Sequence, residues 1–293
     1  MFDISPSSAA AARPRCLTWN HDGGPLVVDL WEPPTPTARP PVLLIHGWGA
    51  AGGYWRSTAR DLSESRCVLV PDLPGTGRSQ PVQRPQGLFE QSASLVRVLD
   101  ELGLDRVALV GHSMGAAMAL LVAERCPERV ERLVLTSLCL FTSEAEKRLF
   151  RLISLGFSLS LGVRRLSFAK SRWFGNRLAS RYFHRPPADP SVIDQIHRDF
   201  LALDAASAVA CARGATDHAI DRAAALVRAP TLLIAGRQDD LMPIANVGYT
   251  ARTIVGCQVQ WVDRCGHLPM VERPGEYLGI LRGFLDSPDI TAS

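Results

Sequence analysis

The ten residues Arg106-Val107-Ala108-Leu109-Val110-Gly111-His112-Ser113-Met114-Gly115 constrain this chain more than any other stretch. An apolar run ends on Gly-His-Ser-Met-Gly, and an Ala/Leu-rich helical stretch, 116–123, follows at once. Apolar run, Gly-x-Ser-x-Gly and helix, in that order, are the context of a nucleophile elbow, a strand-to-helix turn so sharp that its serine is strained. Gly111 and Gly115 remove the Cβ atoms that would collide inside such a turn. The strain holds the Ser113 hydroxyl clear of the sheet. The amide of Met114, at the start of the helix, can then face a developing oxyanion.

The rest of the chain repeats the theme of short apolar runs and helical stretches. Cys16 to Asn20 and Leu26 to Trp31 flank His21-Asp22-Gly23-Gly24, a hairpin signal. Pro33 to Pro41 cannot continue a ladder and reads as a connector. Val42 to Ile45, Cys67 to Val70, Val107 to Val110, Leu133 to Thr136, Leu232 to Ala235 and Val259 to Val262 are short apolar runs, as in strands covered on both faces. Helical stretches lie between and after them, at 55–63, 89–102, 116–125 and 274–285. Strands alternating with helices predict an α/β fold, a mostly parallel, doubly wound sheet.

The alternation breaks after Leu138. Residues 142–222 show helical periodicity without a convincing strand, so they read as a helical insertion. The core is then 15–141 plus 223–293, and the Ala/Ser/Pro-rich residues 1–14 read as a flexible N-terminus.

Composition narrows the classes. A net charge of +3 gives no whole-protein argument for nucleic acid. Seven scattered cysteines form no Cys-x-x-Cys, which favours reduced thiols over bridges or zinc. His21, His184, His197 and His218 lack acidic or cysteine partners at metal spacing, so no metal is expected. The first residues carry no apolar core of a signal peptide and no apolar run is long enough to span a bilayer, which predicts a cytoplasmic protein.

A serine is a poor nucleophile until a base takes its proton and a third group orients that base. Thr231 to Gly236 ends a strand, with Asp239 and Asp240 just beyond. Trp261-Val262-Asp263-Arg264-Cys265-Gly266-His267 places a histidine after the last strand. These loops and the Ser113 turn all leave the carboxyl ends of parallel strands, where reacting groups converge in an open sheet.

With these residues the chain resembles the α/β-hydrolases. The matching motifs are His46-Gly47-Trp48-Gly49, Asp72-Leu73-Pro74-Gly75-Thr76-Gly77-Arg78-Ser79, Gly111-His112-Ser113-Met114-Gly115, Gly236-Arg237-Gln238-Asp239 with Pro243, and Gly266-His267. The resemblance implies an α/β-hydrolase fold with the insertion as a lid. It implies Ser113 as nucleophile, His267 as base, Asp239 as orienting carboxylate, and an oxyanion hole from the amides of Trp48 and Met114. Asp240 stays open as the alternative acid. The serine separates the chain from the haloalkane dehalogenases and epoxide hydrolases of the same fold. The implied activity is hydrolysis of an ester or thioester with an apolar acyl group, without a cofactor. Carbon–carbon bond hydrolases, lactonases, cofactor-free haloperoxidases and acyltransferases share these motifs. His46, His112, Asp72 and Ser79 read as packing or turn residues.

Two readings from other classes remain. Gly47-Trp48-Gly49-Ala50-Ala51-Gly52 is a literal Gly-x-Gly-x-x-Gly with Asp72 beyond it, the parts of a dinucleotide fingerprint and of an NAD-dependent oxidoreductase. Trp48 would crowd the pyrophosphate. A non-catalytic hydrolase-like binding protein is the other, although such a protein is expected to lack one of the three reacting residues.

The insertion carries one further signal. From Lys147 to Ala188 there are ten Lys or Arg and no Asp or Glu, interleaved with apolar residues. Arg164, Arg165 and Lys170 are the candidate substrate contacts. Such a segment suits an acyl substrate on an acidic carrier protein or at an anionic lipid surface. The competing expectation is a solvated face whose cations pair with the acids of 189–221.

Overall fold

The computed structural model describes residues 13–288 except 22, 165 and 188. Most of the expected flexible N-terminus therefore lies outside the described residues, as does Arg165. Eight strands form one sheet: β1 (Arg15–His21), β2 (Gly24–Trp31), β3 (Val42–Ile45), β4 (Val68–Asp72), β5 (Val107–His112), β6 (Val130–Thr136), β7 (Thr231–Gly236) and β8 (Gln258–Val262). Their order is β1-β2-β4-β3-β5-β6-β7-β8. Strand β2 runs antiparallel to both neighbours, and β4, β3 and β5 to β8 are mutually parallel.

The apolar runs are explained by burial on both faces. Side chains alternate along a strand, so Leu43 and Ile45 of β3 enter one core layer while Val42 and Leu44 enter the other. Leu109 opposes Ala108 and Val110 in β5 in the same way, and Leu233 opposes Leu232 and Ile234 in β7. Strand β8 is one edge, and there Gln258 and Gln260 are exposed.

Eleven α-helices are assigned among the described residues. α1 (Arg56–Leu62), α2 (Leu88–Glu101) and α3 (Met114–Arg125) precede the insertion. α4 (Glu144–Val163), α5 (Arg172–Ala179), α6 (Ser191–Ala202), α7 (Ala205–Gly214) and α8 (His218–Leu226) connect β6 to β7. α9 (Val247–Thr253), α10 (Pro269–Glu272) and α11 (Pro274–Leu285) follow. The helices α2, α3 and α8 cover one face of the sheet, with Leu95, Leu99, Leu120, Ile220 and Ala224 in a single cluster. The other face is covered by α1, α10 and α11 through Ala59, Met270, Tyr277 and Leu281.

The stretch between β6 and β7 contains helices and no strand among its described residues. The expected boundary at 222 falls inside α8. Ile220, Ala223 and Ala224 of that helix pack with α3 in the main core, so α8 belongs to the sheet's own layer. Helical periodicity shows that a helix has an apolar face but not which layer that face meets. A smaller cluster joins Leu161, Phe200, Leu203 and Ala208 of the connecting segment to Trp48. No described helix is long and apolar enough to cross a membrane.

Candidate active site

Ser113 stands between β5 and α3 with φ 54° and ψ −119°. This left-handed backbone is costly for a residue with a Cβ, and the surroundings over-determine it. Its amide donates to Thr136 O at 2.8 Å, and its carbonyl caps the first turn of α3 by accepting from Ala116 N at 2.9 Å. The two glycines of the motif are obligatory for a steric reason. A Cβ at Gly111 would stand 2.4 Å from Gly115 O, and one at Gly115 would stand 2.5 Å from the carbonyl oxygens of Ile45 and His46.

His267 follows β8, as expected. It is buried, and its Nδ1 donates to Asp239 Oδ2 at 2.8 Å. The other carboxylate oxygen, Oδ1, accepts from the amides of Leu241 at 2.9 Å and Met242 at 3.1 Å. Burial pushes the Asp239 carboxyl up, but the adjacent His267 and those amides outweigh it and hold the group below its ordinary range. Asp240 is exposed and lies on the cavity wall rather than on the histidine. Of the two candidate carboxylates, Asp239 is the one hydrogen-bonded to His267.

The backbone of His267 is clamped from three directions. Its amide donates to Tyr182 O of the inserted segment at 2.9 Å. Its carbonyl accepts from His112 Nε2 and from Ser137 Oγ, each at 2.9 Å. Ser137 itself adopts φ 53° to do so. A Cβ on Gly236 would stand 2.1 Å from Gly266 O, so the acid and histidine loops can approach this closely only through glycine.

His112 does more than pack. Its Nε2 faces a carbonyl and must carry the proton, leaving Nδ1 to accept from Tyr54 Oη at 2.8 Å. Tyr54 Oη in turn accepts from Gly47 N at 2.8 Å. One chain of hydrogen bonds therefore joins the Gly47-Trp48 loop, the serine turn and the histidine loop. Sequence spacing could not reveal it, because its partners are 58 and 155 residues apart from His112.

Burial, with the neighbouring His267 adding to it, pushes the His112 pKa down from 6.5 to about 3. The unfolded histidine binds a proton below about pH 6.5 that the folded one refuses until about pH 3. Stability should therefore fall as pH drops through that window. The contribution of His112 is at most about 1.4 kcal/mol per pH unit. Replacing His112 with Gln should make the acid-side slope shallower in urea unfolding series between pH 7 and pH 4. An unchanged slope would show that His112 is not held neutral.

Ser113 and His267 line a common cavity of about 380 Å³. Trp48, Met114, Phe150, Ile153, Leu241 and Met242 make its apolar walls, and Arg181 and Asp240 also line it. The indole of Trp48 donates to Ala208 O at 2.8 Å, which ties that loop to α7. Of the basic candidates, neither Arg164 nor Lys170 lines this cavity. Arg181, one of the ten cations between Lys147 and Ala188, does. Part of the basic segment is paired as the competing expectation required, Lys147 with Asp221 at 2.5 Å and Arg172 with Asp194 at 3.4 Å.

The dinucleotide reading does not fit. Asp72 Oδ1 accepts from Gly52 N at 2.9 Å, and Oδ2 accepts from Arg78 N at 3.0 Å and Arg78 Nε at 2.7 Å. Its carboxylate is consumed inside its own turn. The glycine-rich stretch leads into a short 3-10 turn, Gly52–Trp55, rather than directly into an α-helix. Among the described residues no group of His, Cys, Asp and Glu is arranged to hold a metal ion, and all seven cysteines are unpaired.

The chain is 30% identical over 259 residues to the 2-hydroxy-6-oxo-2,4-heptadienoate hydrolase of Pseudomonas putida, covering 85% of this chain and 90% of that protein. It is 27% identical over 256 residues to the pimeloyl-[acyl-carrier protein] methyl ester esterase of Neisseria meningitidis, covering 86% and 95%. A thermophilic esterase from Thermogutta terrifontis superposes with a TM-score of 0.74 at 24% identity, covering 92% of this chain and 98% of that one, a likeness of fold. A profile described as alpha/beta hydrolase fold matches residues 40–274, and the chain belongs to that family of hydrolases.

Proposed function

We propose that the protein is a serine hydrolase that cleaves an ester or thioester of an apolar acyl substrate through an acyl-enzyme. The observation that carries this reading is the 2.8 Å bond from His267 Nδ1 to Asp239, on a histidine that shares the cavity with the strained Ser113. With Nδ1 fixed as donor, Nε2 is left to accept the Ser113 proton as Oγ attacks the acyl carbon. The carbonyl electrons move onto oxygen, where the amides of Trp48 and Met114 are the proposed donors. Collapse of this intermediate breaks the bond to the leaving alcohol or thiol, which takes the proton from His267. Water, deprotonated by His267, then attacks the acyl-serine and releases the acid. The helices α4 to α7 serve as the lid, and the apolar walls at Phe150, Ile153 and Met242 suit an acyl chain.

A second reading, carbon–carbon bond hydrolysis, has support from the 30% identity to the heptadienoate hydrolase. A panel of p-nitrophenyl esters and acyl thioesters of graded chain length, with the dienoate of that relative's name beside them, decides between the two. The proposal expects turnover of the acyl series to rise with chain length until the cavity is filled. Turnover of the dienoate alone would replace it with the second reading.

A further inference from the structure

The Ser113 cavity has a neighbour. An open groove of about 560 Å³ lies between α4 and α7, with Arg148, Arg151 and Arg213 on its walls beside Leu152 and Val209. Ser154 and Ala212 line both the groove and the Ser113 cavity, so the two spaces share a wall. Among the described residues no carboxylate lines the groove. The nearest acid contact is Glu144, which approaches Arg151 at 3.6 Å with both side chains half exposed. The Arg151 Nε also donates to Lys147 O at 3.3 Å. The side chains of Arg148 and Arg213 have neither hydrogen-bond nor ion-pair partners among the described residues, and both residues are exposed. This distinguishes them from Lys147 and Arg172, whose charges are already paired.

Three guanidinium groups around one groove without a carboxylate in its lining raise the local concentration of anions. Their planar forks can hold the oxygens of a phosphate in bidentate hydrogen bonds. Leu152, 67% exposed on the same wall, is apolar surface that water would leave if a chain crossed it. A ligand that spans the shared wall would therefore be charged at the groove end and apolar at the Ser113 end.

We propose that the groove is a subsite for a phosphate-type head group, carried by the same amphiphilic molecule whose apolar part occupies the Ser113 cavity. The proposal rests on the reading of that cavity as the acyl site. The ligand is a soluble amphiphile bound as a monomer, and the head group lies distal to the bond that is cut.

The test is calorimetric and uses the full chain carrying Ser113→Ala, so that nothing is consumed. Octyl phosphate and 1-octanol are titrated as monomers at low and at high ionic strength. Octyl phosphate is expected to bind about tenfold tighter than octanol at low salt, with the advantage shrinking as exposed charges are screened. Adding Arg148→Gln, Arg151→Gln and Arg213→Gln should remove the advantage and leave octanol binding unchanged, which also reports that the cavity is still folded. The single Arg213→Gln variant should lose part of it. Equal binding of the two ligands, or a preference that survives the triple substitution, overturns the proposal. Sedimentation with phosphatidylglycerol vesicles forms the other arm. Binding to vesicles without binding of monomeric octyl phosphate would assign the arginines to a bilayer surface and overturn it as well. Because binding is read without turnover, either failure leaves the hydrolase reading standing. Phosphate-selective binding in a wild type inert to every acyl substrate would instead remove only the hydrolase reading.

Discussion

Ser113→Ala should reduce turnover of the best acyl ester by about 10⁴- to 10⁶-fold while the protein stays folded. The hydroxyl is the one atom whose loss removes the acyl-enzyme entirely, because His267 then has no proton to accept and the acyl carbon no attacking group. Oxyanion donors and substrate binding would remain, so a residual rate above that of water is expected. The fold should survive because the elbow is held by backbone. The Ser113 amide bonds to Thr136 O, its carbonyl bonds to Ala116 N, and the strained φ of 54° stays imposed by Gly111 and Gly115 on either side. Steady-state kinetics with a thermal melt of each protein measures both quantities. A loss of tenfold or less in a folded variant would require another nucleophile.

Asp239→Asn should lower kcat by about 10³- to 10⁴-fold, and Asp240→Asn by less than about threefold. The asymmetry follows from hydrogen bonding. Oδ1 of Asp239 accepts from the Leu241 and Met242 amides, and the amide oxygen of Asn can keep those bonds. Its NH₂ then faces His267 Nδ1 and can only donate to it. That moves the ring proton to Nε2, the nitrogen needed to accept from Ser113. The substitution also removes the negative charge that would stabilise the imidazolium formed during attack. Asp240 is exposed and has no bond to the ring, so its amide should change little. Parallel kcat and KM values for the two variants decide the matter, and a reversed order would transfer the acid role to Asp240.

The parts of this site that could be read from sequence are those made by short-range rules. The Ser113, Asp239 and His267 turns each combine the end of a strand with a glycine within three residues of the candidate side chain, so each is a local pattern. The core strands were legible because Leu43, Val110 and Ile234 and their neighbours are apolar on both faces. Edge strand β8 reads one residue short in the sequence, from Val259, because Gln258 faces water. The four-residue α10 and the 3-10 turn at Gly52–Trp55 lack the length for periodicity to register.

What was hidden depends on contacts between distant segments. The link from Gly47 through Tyr54 and His112 to the His267 carbonyl cannot be derived from spacing, nor can the left-handed Ser137 that supports it. The same is true of the cations. Ten of them on helical segments look alike in sequence, yet packing pairs Lys147 and Arg172, puts Arg181 on the cavity wall, and leaves Arg148 beside Arg213 of another helix. Arg164 and Lys170 were the plausible candidates by local density alone, and density does not specify direction.

The central claim is that Ser113 becomes covalently acylated. Its most direct measurement is labelling of the wild-type protein with a fluorophosphonate, followed by mass mapping of the modified peptide. The account predicts stoichiometric modification at Ser113, blocked by a competing acyl ester and reduced strongly in Asp239→Asn. Stoichiometric modification at a different serine, or no modification of a protein that still turns over the ester, would contradict it.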